Sequence, residues 1–219
     1  MNLDFSQIVP YIPFILDGIW ATLKFVSLSI LVGFILGTVL ALFKIGKVRP
    51  LKWFADAYTS IFRGTPLILQ LMILYYAVPQ LTGYDISAYL SAILAFGLNS
   101  SAYVSEIIRA GILAVDKGQT EAAEALGVSY VPMMVNIILP QAMKNILPAL
   151  MNEFITLTKE SAIVSTIGYL DLMRRAQIVG ADLFRNFEPL LFAGLIYWVM
   201  VYILTLIGRL VERRLRQSD

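Results

Sequence analysis

Long apolar runs constrain this chain more than any other feature of its sequence. Residues 19–43 form one such run, which carries a single charge at Lys24. A bilayer core of about 30 Å is crossed by roughly 20 mainly apolar helical residues, so this run is long enough to span it. Hydrophobic residues make up 58% of the 219-residue chain and charged residues 15%. Soluble domains contain about 45–50% hydrophobic and about 25% charged residues, so the sequence predicts an integral membrane protein.

The chain contains no cysteine and no histidine. Haem, iron–sulfur clusters and the common zinc sites therefore lack their usual ligands, and Ser-His-Asp catalysis is excluded. The net charge of +2 is too small, given where the basic residues lie, to indicate nucleic-acid binding. We expect no catalytic residues, no metal site and no cofactor in this chain.

Hydropathy predicts five membrane-spanning helices in one all-α domain, residues 1–219, with no repeat and no flexible linker. The second span joins an apolar run to the amphipathic stretch before it. The fourth span is the least secure, because it carries several polar residues. The predicted spans cover approximately residues 19–43, 54–78, 86–108, 139–158 and 189–211.

The basic residues predict the orientation of these spans. Five of them lie in residues 44–63, three in 109–144 and four in 209–216, whereas the opposite side of the predicted membrane carries four. Basic residues concentrate on the cytoplasmic side of membrane proteins, so we expect the N-terminus outside and the C-terminus inside. The tail of residues 1–17 has two Asp and no Lys or Arg, so it lacks the basic region of a signal peptide.

Residues 116–127, between the third and fourth spans, predict a short cytoplasmic helix. Asp116 with Gln119 three positions on has the form of a capping box, and Gly127 is placed to end the helix. Strong helix formers fill the positions between them. The helix would be about 15 Å long, too short and too polar to cross a membrane. Its small apolar face fits a shallow groove on another protein, and a solvated connector helix is the alternative.

This segment resembles the EAA loop of ABC importer permeases. The spacing E-A-A-x3-G-x9-I-x-L-P is reproduced from Glu121 through Gly127 to Pro140. One departure is Ser161-Ala162-Ile163, where the polar amino-acid branch of the family (His/Glu/Gln/Arg/opine) more often has Thr or Ser followed by Ser-Leu, so we expect altered packing or selectivity there. Three further stretches are similar to that branch, namely F-R-G-T-P-L at 62–67 with Q-L at 70–71, N-S-S-A-Y-V-S-E-I-I-R-A-G at 99–111 and K-E-S at 159–161.

The resemblance implies that residues 116–127 form a coupling helix, which docks into a cleft of an ATP-hydrolysing subunit and transmits its closure. It implies that Gly127 permits the turn that ends this helix, and that four residues of the helix contact the ATP-hydrolysing subunit. The chain itself has no G-x-x-x-x-G-K-[ST] motif, so ATP is expected on the partner subunit and this chain is not an enzyme. The implied contact residues are Glu121, Ala122, Ala123 and Leu126.

The resemblance also implies the other partners. These are a second permease subunit, with a homodimer favoured over a heterodimer, an extracytoplasmic substrate-binding protein and a polar amino acid as cargo, in a bacterial cytoplasmic (inner) membrane. Five spans of one chain are too few to enclose a solute path easily, so two subunits working by alternating access are expected. The helical spacing of Leu170, Met173 and Val179 predicts an outer amphipathic helix within 168–188. As the resemblance implies, this helix and the loop 78–87 would receive the binding protein, and a simple lid over the bundle is the alternative.

Two carboxylates share one stripe of the fourth span. Glu153, Thr156 and Glu160 have i, i+3 and i+7 spacing, with Asn152 beside them. A charge at the centre of a span costs about 2.5–3.5 kcal/mol on insertion scales, so these residues are candidates for contact with substrate. Two carboxylates favour a cationic side chain, so we expect arginine, lysine or histidine. Neutralisation of Glu160 by Lys159, with Glu153 near water, is the alternative.

Polar residues in the second and third spans are further candidates. Asn99, Ser100 and Tyr103 are placed to contact substrate, and interhelical hydrogen bonding is the alternative. Gln70 in the second span could line the path. Glu106 lies three residues before Arg109, which predicts a mostly structural ion pair.

Two proline sites predict changes in helix direction. Residues 63–66 predict the start of a helix at the cytoplasmic surface, with Pro66 near its first turn. Pro148 should kink the fourth span and free the carbonyl of Lys144, which allows a bend or a break.

A rival function comes from a different class of membrane protein. The acidic residues could carry protons or cations through a stand-alone secondary transporter or channel. Such a carrier has no need for an isolated helix at 116–127, which argues against it. A purely structural membrane anchor is disfavoured by the carboxylates within the spans.

Overall fold

Helices account for nearly all of the chain. The computed structural model describes residues 3–216, without the side chain of Arg216, and this range contains no strand. The first two residues of the acidic tail and the last three of the chain lie outside it. The α-helices in chain order are α1 (Ile12–Ile45), α2 (Arg49–Gly64), α3 (Leu67–Met72), α4 (Val78–Thr82), α5 (Ala88–Leu113), α6 (Lys117–Ala125), α7 (Tyr130–Met133), α8 (Leu139–Glu160), α9 (Leu172–Asp182) and α10 (Phe187–Arg216).

Short segments of other helix types connect some of these helices. Two π-helical segments, Ile73–Ala77 and Met134–Ile138, join α3 to α4 and α7 to α8. Two 3-10 segments, Phe5–Tyr11 and Ser161–Ile167, precede α1 and follow α8. The chain therefore runs almost without a loop from α7 into α8, and from α8 to Gly168.

Three helices are long and apolar enough to cross a membrane, within residues 3–216. They are Phe5–Ile45, Ala88–Leu113 and Phe187–Leu215. The number rises to four if α2 with α3 and α4 counts as one bent span. The helix α8 is 22 residues long but falls outside this set, since its polar residues lower its hydropathy, as the sequence indicated.

The predicted second span, residues 54–78, is not one straight helix. The axis turns by 102° between α2 and α3. Thr65 is extended, with φ −121° and ψ 146°, as expected for a residue that precedes proline. Pro66 is the N-cap of α3, so a helix begins directly after residues 63–66, as predicted, and these residues also form a break inside the predicted span. The predicted kink at Pro148 does not interrupt α8, which is helical from Leu139 to Glu160.

Helices α1 and α5 cross at very close range. A Cβ added at Gly37 would lie 2.8 Å from Cβ of Val104, and one added at Gly33 would lie 2.9 Å from Cβ of Ser100. A third glycine, Gly97, faces α1 in the same way, since its added Cβ would meet Val32 at 2.8 Å. Small residues four apart let the backbones of membrane helices approach each other, which is the geometry found here.

The helix α9 packs between α1 and α10. Its buried residues Leu172, Ala176 and Val179 contact Ile15 of α1 and Ile196 of α10. The amphipathic helix predicted within 168–188 is therefore present, and its apolar face is confirmed at Val179. Leu170 and Met173, which the sequence placed on that face, are exposed and partly exposed, because the helix begins only at Leu172.

The close α1–α5 crossing leads to a stability prediction. Gly37→Ala should destabilise the protein by about 1–3 kcal/mol, because its methyl group would overlap Val104 and lie 2.9 Å from the carbonyl oxygen of Ser101. Gly194→Ala is the matched control, since nothing lies within 4 Å of its added Cβ. Thermal unfolding of the detergent-purified variants measures both. An equal melting temperature for the two variants would contradict the packing described here.

Candidate functional site

A hydrogen bond joins α5 to α8 in the middle of the bundle. The hydroxyl of Ser100 donates to Oε1 of Glu153 at 3.0 Å. Ser100 is fully buried and Glu153 is partly exposed. The other carboxylate oxygen of Glu153 makes no hydrogen bond within residues 3–216. We call this contact the polar seam.

The rest of the predicted α8 stripe lies away from the seam. Asn152 and Thr156 are exposed on the surface of the chain, and Glu160 is partly exposed at the end of α8. The structure therefore places Glu153 against α5 and leaves its neighbours facing outwards. Whatever contacts Asn152 and Thr156 must come from outside this chain.

Gln70 and Asn99 stabilise the bend between α2 and α3. The side-chain amide of Asn99 donates to Oε1 of Gln70 at 3.0 Å and to the carbonyl of Phe62 at 3.1 Å. Gln70 in turn donates to the carbonyl of Phe62 at 2.9 Å and to Oγ1 of Thr65 at 2.9 Å. Both side chains are buried. They satisfy backbone groups freed by the break, so the structure leaves them little capacity to bind a substrate.

Tyr103 lines an open cleft that Gln70 and Asn99 do not line. The cleft has a volume of about 460 Å³ between α5, α8 and the end of α2. The guanidinium of Arg63 lies 5.4 Å from the centroid of the Tyr103 ring, within the range of a cation–π contact. Asn145 also lines this cleft, and the sequence indicated only that it was polar. Tyr103 and Asn99 are one turn apart on α5 but lie in different surroundings.

An ionic cluster joins α1, α2 and α5 near the C-terminal ends of α1 and α5. The ammonium of Lys44 pairs with Glu106, lies 3.3 Å from Oδ1 of Asp56 and donates to Oγ1 of Thr59 at 2.7 Å. Arg109 contacts Glu106 at 2.8 Å, so the predicted ion pair between these two residues is confirmed. The Lys44 side chain is only 4% exposed. The sequence did not predict that Lys44 joins this cluster, because there Lys44 was only one of the basic residues placed on the cytoplasmic side.

The helix α6 begins and ends where the sequence predicted. Oδ1 of Asp116 accepts from the amide of Gly118 at 2.7 Å, and Gly127 has a φ of +72°. The amide of Gly127 donates to the carbonyl of Glu124 at 2.9 Å, and that of Val128 to the carbonyl of Ala123 at 3.0 Å. These two bonds form a Schellman motif. The second half of the predicted capping box is absent, because the amide oxygen of Gln119 accepts instead from Gln141 of α8, at 3.3 Å.

The two faces of α6 differ sharply. Ala123 is 2% exposed and packs against Met133 and Ile138, which lead into α8. This corrects the expectation that Ala123 contacts a partner, because it is held inside the chain's own packing. Glu121, Ala122, Gly127 and Leu126 remain exposed, Leu126 by 82%. Other large apolar residues exposed near α6 are Leu113, Tyr130, Val131 and Val135.

No three His, Cys, Asp or Glu side chains within residues 3–216 come together as a metal site requires.

The site and the fold agree with one family of membrane proteins. Residues 10–217 match the family described as the binding-protein-dependent transport system inner membrane component. The match covers nearly the whole chain, so the chain belongs to this family. The resemblance seen in the EAA-type motif is thereby confirmed.

Individual relatives are similar over almost their full length. The chain is 61% identical over 219 residues to the arginine transport system permease protein ArtQ of Bacillus subtilis (strain 168), with 100% of both chains covered. It is 50% identical over 206 residues to a protein named as the glutamine transport system permease GlnP in Rickettsia bellii (strain RML369-C), with 94% of both covered. A chain in the crystal structure of an amino acid ABC transporter with histidines is 46% identical, with a TM-score of 0.94 over 98% of this chain and 100% of that one.

The ionic cluster leads to a second stability prediction. Lys44→Met should destabilise the protein by about 1–3 kcal/mol, because Asp56 and Thr59 lose their cationic partner while Glu106 keeps only Arg109. Lys47→Met, at an exposed position just beyond α1, removes the same charge without this cluster. Thermal unfolding in detergent compares the two variants. If Lys44→Met and Lys47→Met have the same melting temperature, the cluster contributes no net stability.

Proposed function

We propose that this chain is the membrane-spanning permease of an ATP-driven importer for a basic amino acid. The observation that carries the proposal is α6, a helix too short to span, with defined ends and an exposed face, in a chain of this family. The names of its relatives support an amino acid as cargo, and the relative at 61% identity is named for arginine. The partners are ATP-binding subunits, an extracytoplasmic substrate-binding protein and a second permease subunit, most simply an identical one.

The proposed topology has five crossings with the N-terminus outside. The crossings are α1, the bent pair α2 with α3 and α4, α5, α8 and α10, which leaves α6 inside and α9 outside. The distribution of basic residues supports this orientation. The polar helix α8 can cross because a second subunit would cover Asn152 and Thr156 and shield them from lipid. In a bacterium the host membrane is the cytoplasmic (inner) membrane.

Cysteine labelling tests this topology. The chain has no native cysteine, so a single introduced one is the only thiol. Phe5→Cys should react with an impermeant maleimide from outside intact cells. Leu215→Cys should react only after the membrane is permeabilised. The reverse pattern, or labelling of both from one side, would show that the proposed number of crossings or their direction is wrong.

The proposed role of α6 is to couple ATP hydrolysis to movement of the spans. Glu121, Ala122 and Leu126 form its exposed docking face, and Gly127 sets the turn that follows. On the opposite face, Ala123 fixes α6 to the segment that leads into α8. Since α6 also follows α5 after three residues, a force on α6 acts on both helices of the polar seam.

Two substitutions at one position test coupling. Gly127→Val should abolish most of the substrate-stimulated ATPase activity of the assembled complex, because a β-branched residue strongly disfavours a φ of +72°. Gly127→Asn is the matched variant, since Asn tolerates this conformation, and it should keep most of the stimulation. Both chains should still insert. Normal stimulation in Gly127→Val would exclude a coupling role for this turn.

The proposed substrate contact is centred on Glu153. Its carboxylate has one oxygen held by Ser100 and one without a hydrogen bond within residues 3–216. A zwitterionic amino acid needs an anionic partner for its ammonium group, and the second carboxylate at Glu160 favours a cationic side chain. Asn152, Thr156 and Tyr103 are proposed as further contacts. Gln70 and Asn99 are proposed to hold the bend and not the substrate.

Selectivity tests the basic amino-acid proposal. Glu153→Gln keeps the size of the side chain and removes its charge, so transport of arginine should weaken more than that of glutamine. The difference should be about 1–3 kcal/mol, as expected when a charged hydrogen bond becomes neutral. Competition by unlabelled amino acids in an uptake assay measures the ratio. Glu124→Gln, on the exposed side of α6, changes the same charge and should leave the ratio unaltered. If glutamate competes best and Glu153→Gln does not change this competition, the proposal of a basic substrate is wrong.

A stand-alone ion-coupled transporter is the alternative function. It would use Glu153 and Glu160 as proton or cation carriers and would need no docking helix. The defined ends and exposed face of α6 favour the ATP-driven importer.

A further inference from the structure

A groove on the surface of α1 contains one cation among apolar side chains. Its volume is about 430 Å³. The ammonium of Lys24 makes no salt bridge with any residue in the described range 3–216, and it lies 5.9 Å from the centroid of the Tyr89 ring. The lining residues are Trp20, Leu23, Lys24, Ser27, Leu28, Leu31 and, from α5, Tyr89.

The groove is about as long as one leaflet of a bilayer is deep. Trp20 and Leu31 are eleven positions apart on a continuous helix, which corresponds to about 16 Å. Half of a bilayer core is about 15 Å. Trp20 is 73% exposed, as is common for tryptophan at the interface between lipid and water. The groove therefore begins at headgroup level and ends near the middle of the membrane.

Lys24 lies where it can reach a headgroup. It is one helical turn from Trp20 on the side of the hydrocarbon, a depth from which a lysine side chain extends its ammonium back to the interface. A lone ammonium group among leucines is unfavourable unless it finds an anion or water. Ser27 and Tyr89, whose side chains carry hydroxyl groups, also line this groove.

Tyr89 is held in place by the fold. Its ring stacks on that of Tyr169 at 5.8 Å, and the hydroxyl of Tyr169 donates to the carbonyl of Ala21 at 3.3 Å. The wall of the groove is therefore formed by packed residues before any ligand arrives.

We propose that this groove binds an anionic phospholipid, with its phosphate against Lys24 and an acyl chain along Leu28 and Leu31. A zwitterionic lipid brings its own ammonium group, which partly offsets the attraction of Lys24. An anionic headgroup such as phosphatidylglycerol has no such offset and should be preferred.

Lipid retention tests the proposal. The full chain, purified with its partner subunits in mild detergent, is incubated with equal amounts of phosphatidylglycerol and phosphatidylcholine and examined by native mass spectrometry. Lys24→Gln should lower the ratio of bound phosphatidylglycerol to phosphatidylcholine about fivefold. Lys159→Gln removes the same charge at an exposed position that does not line the groove, and it should leave the ratio unchanged. Leu28→Trp should lower binding of both lipids because it fills the apolar part.

Two results would overturn the proposal. An unchanged ratio of bound phosphatidylglycerol to phosphatidylcholine in Lys24→Gln would show that Lys24 does not select the lipid headgroup. Ser27→Cys provides the second check, because it would be the only thiol in the chain. Efficient disulfide cross-linking between two copies through this cysteine would show that protein, and not lipid, covers the groove.

Phe184, at the end of α9, supports a second and independent inference. It is the one non-glycine residue with a positive φ, +51°, within residues 3–216. Its side chain is 94% exposed. Left-handed backbone is unfavourable for residues with a Cβ, so this residue carries a conformational cost and gains no packing in return.

The turn that ends α9 has the same form as the turn that ends α6, with a different residue in the left-handed position. At the end of α9, the amide of Arg185 donates to the carbonyl of Gly180 at 2.9 Å and that of Phe184 to the carbonyl of Ala181 at 3.2 Å. This is the Schellman pattern seen at the end of α6, where Gly127 occupies the left-handed position. Glycine would therefore fit position 184 better than phenylalanine does.

We infer that Phe184 is an anchor for the substrate-binding protein, an inference that rests on the proposed function and on α9 lying outside. Asp182, Arg185 and Asn186 surround it along the chain, which favours water over lipid as its surroundings. An exposed aromatic residue held by a rigid turn is suited to fill an apolar pocket on a partner protein.

Stability and binding should respond to Phe184→Gly in opposite directions. The melting temperature of the purified complex should rise by about 2–4 °C, since the strain is relieved. The concentration of binding protein that gives half-maximal ATPase stimulation should rise about tenfold or more. Phe184→Tyr keeps the aromatic ring, so half-maximal stimulation should occur at the wild-type concentration of binding protein.

The outcomes separate the inference from the proposed function. If the wild-type complex shows no stimulation by the binding protein, the proposed function fails. If the wild type responds and Phe184→Gly responds at the same concentration, only the anchor role fails. A fall in melting temperature would show that Phe184 stabilises the chain itself, which also contradicts the inference.

Discussion

The close contact between α1 and α5 is the interaction on which the polar seam depends. A Cβ at Gly33 would lie 2.9 Å from the hydroxyl oxygen of Ser100. Because Gly33 has none, α5 can lie against α1 while Ser100 keeps its hydroxyl directed towards Glu153 of α8. The close approach at Gly33 and the hydrogen bond between Ser100 and Glu153 thus connect α1, α5 and α8. The polar side chains of α5 and α8 acquire fixed positions in a chain whose remaining contacts are mostly apolar.

Charged side chains also join α1, α2 and α5, near the C-terminal ends of α1 and α5. Lys44 of α1 pairs with Asp56 of α2 and Glu106 of α5. The helix α6 begins soon after α5 and packs through Ala123 on the segment before α8. In the proposed cycle, a displacement of α6 therefore reaches the seam through both α5 and α8, while the ionic cluster keeps α1 and α2 attached to α5.

Local signals in the sequence predicted much of this fold. The apolar runs, the ends of α6 at Asp116 and Gly127 and the Glu106–Arg109 pair all depend on residues close together in the chain. Glu106, one partner of Lys44, lies 62 residues away, so this pairing could not be predicted from spacing. The same holds for Asn99 and Gln70, which look like path-lining residues until the bend at Thr65 places backbone carbonyls beside them. The Thr-Pro pair signalled that bend, but it is equally compatible with a helix start.

The central claim is that ATP hydrolysis on a partner drives transport through this chain. Purified permease, ATP-binding subunits and binding protein, reconstituted into proteoliposomes with radiolabelled arginine, test it most directly. Uptake should require ATP and the binding protein and should persist after ionophores collapse all ion gradients. Uptake by the permease alone, driven by an ion gradient and unaffected by ATP, would contradict the claim.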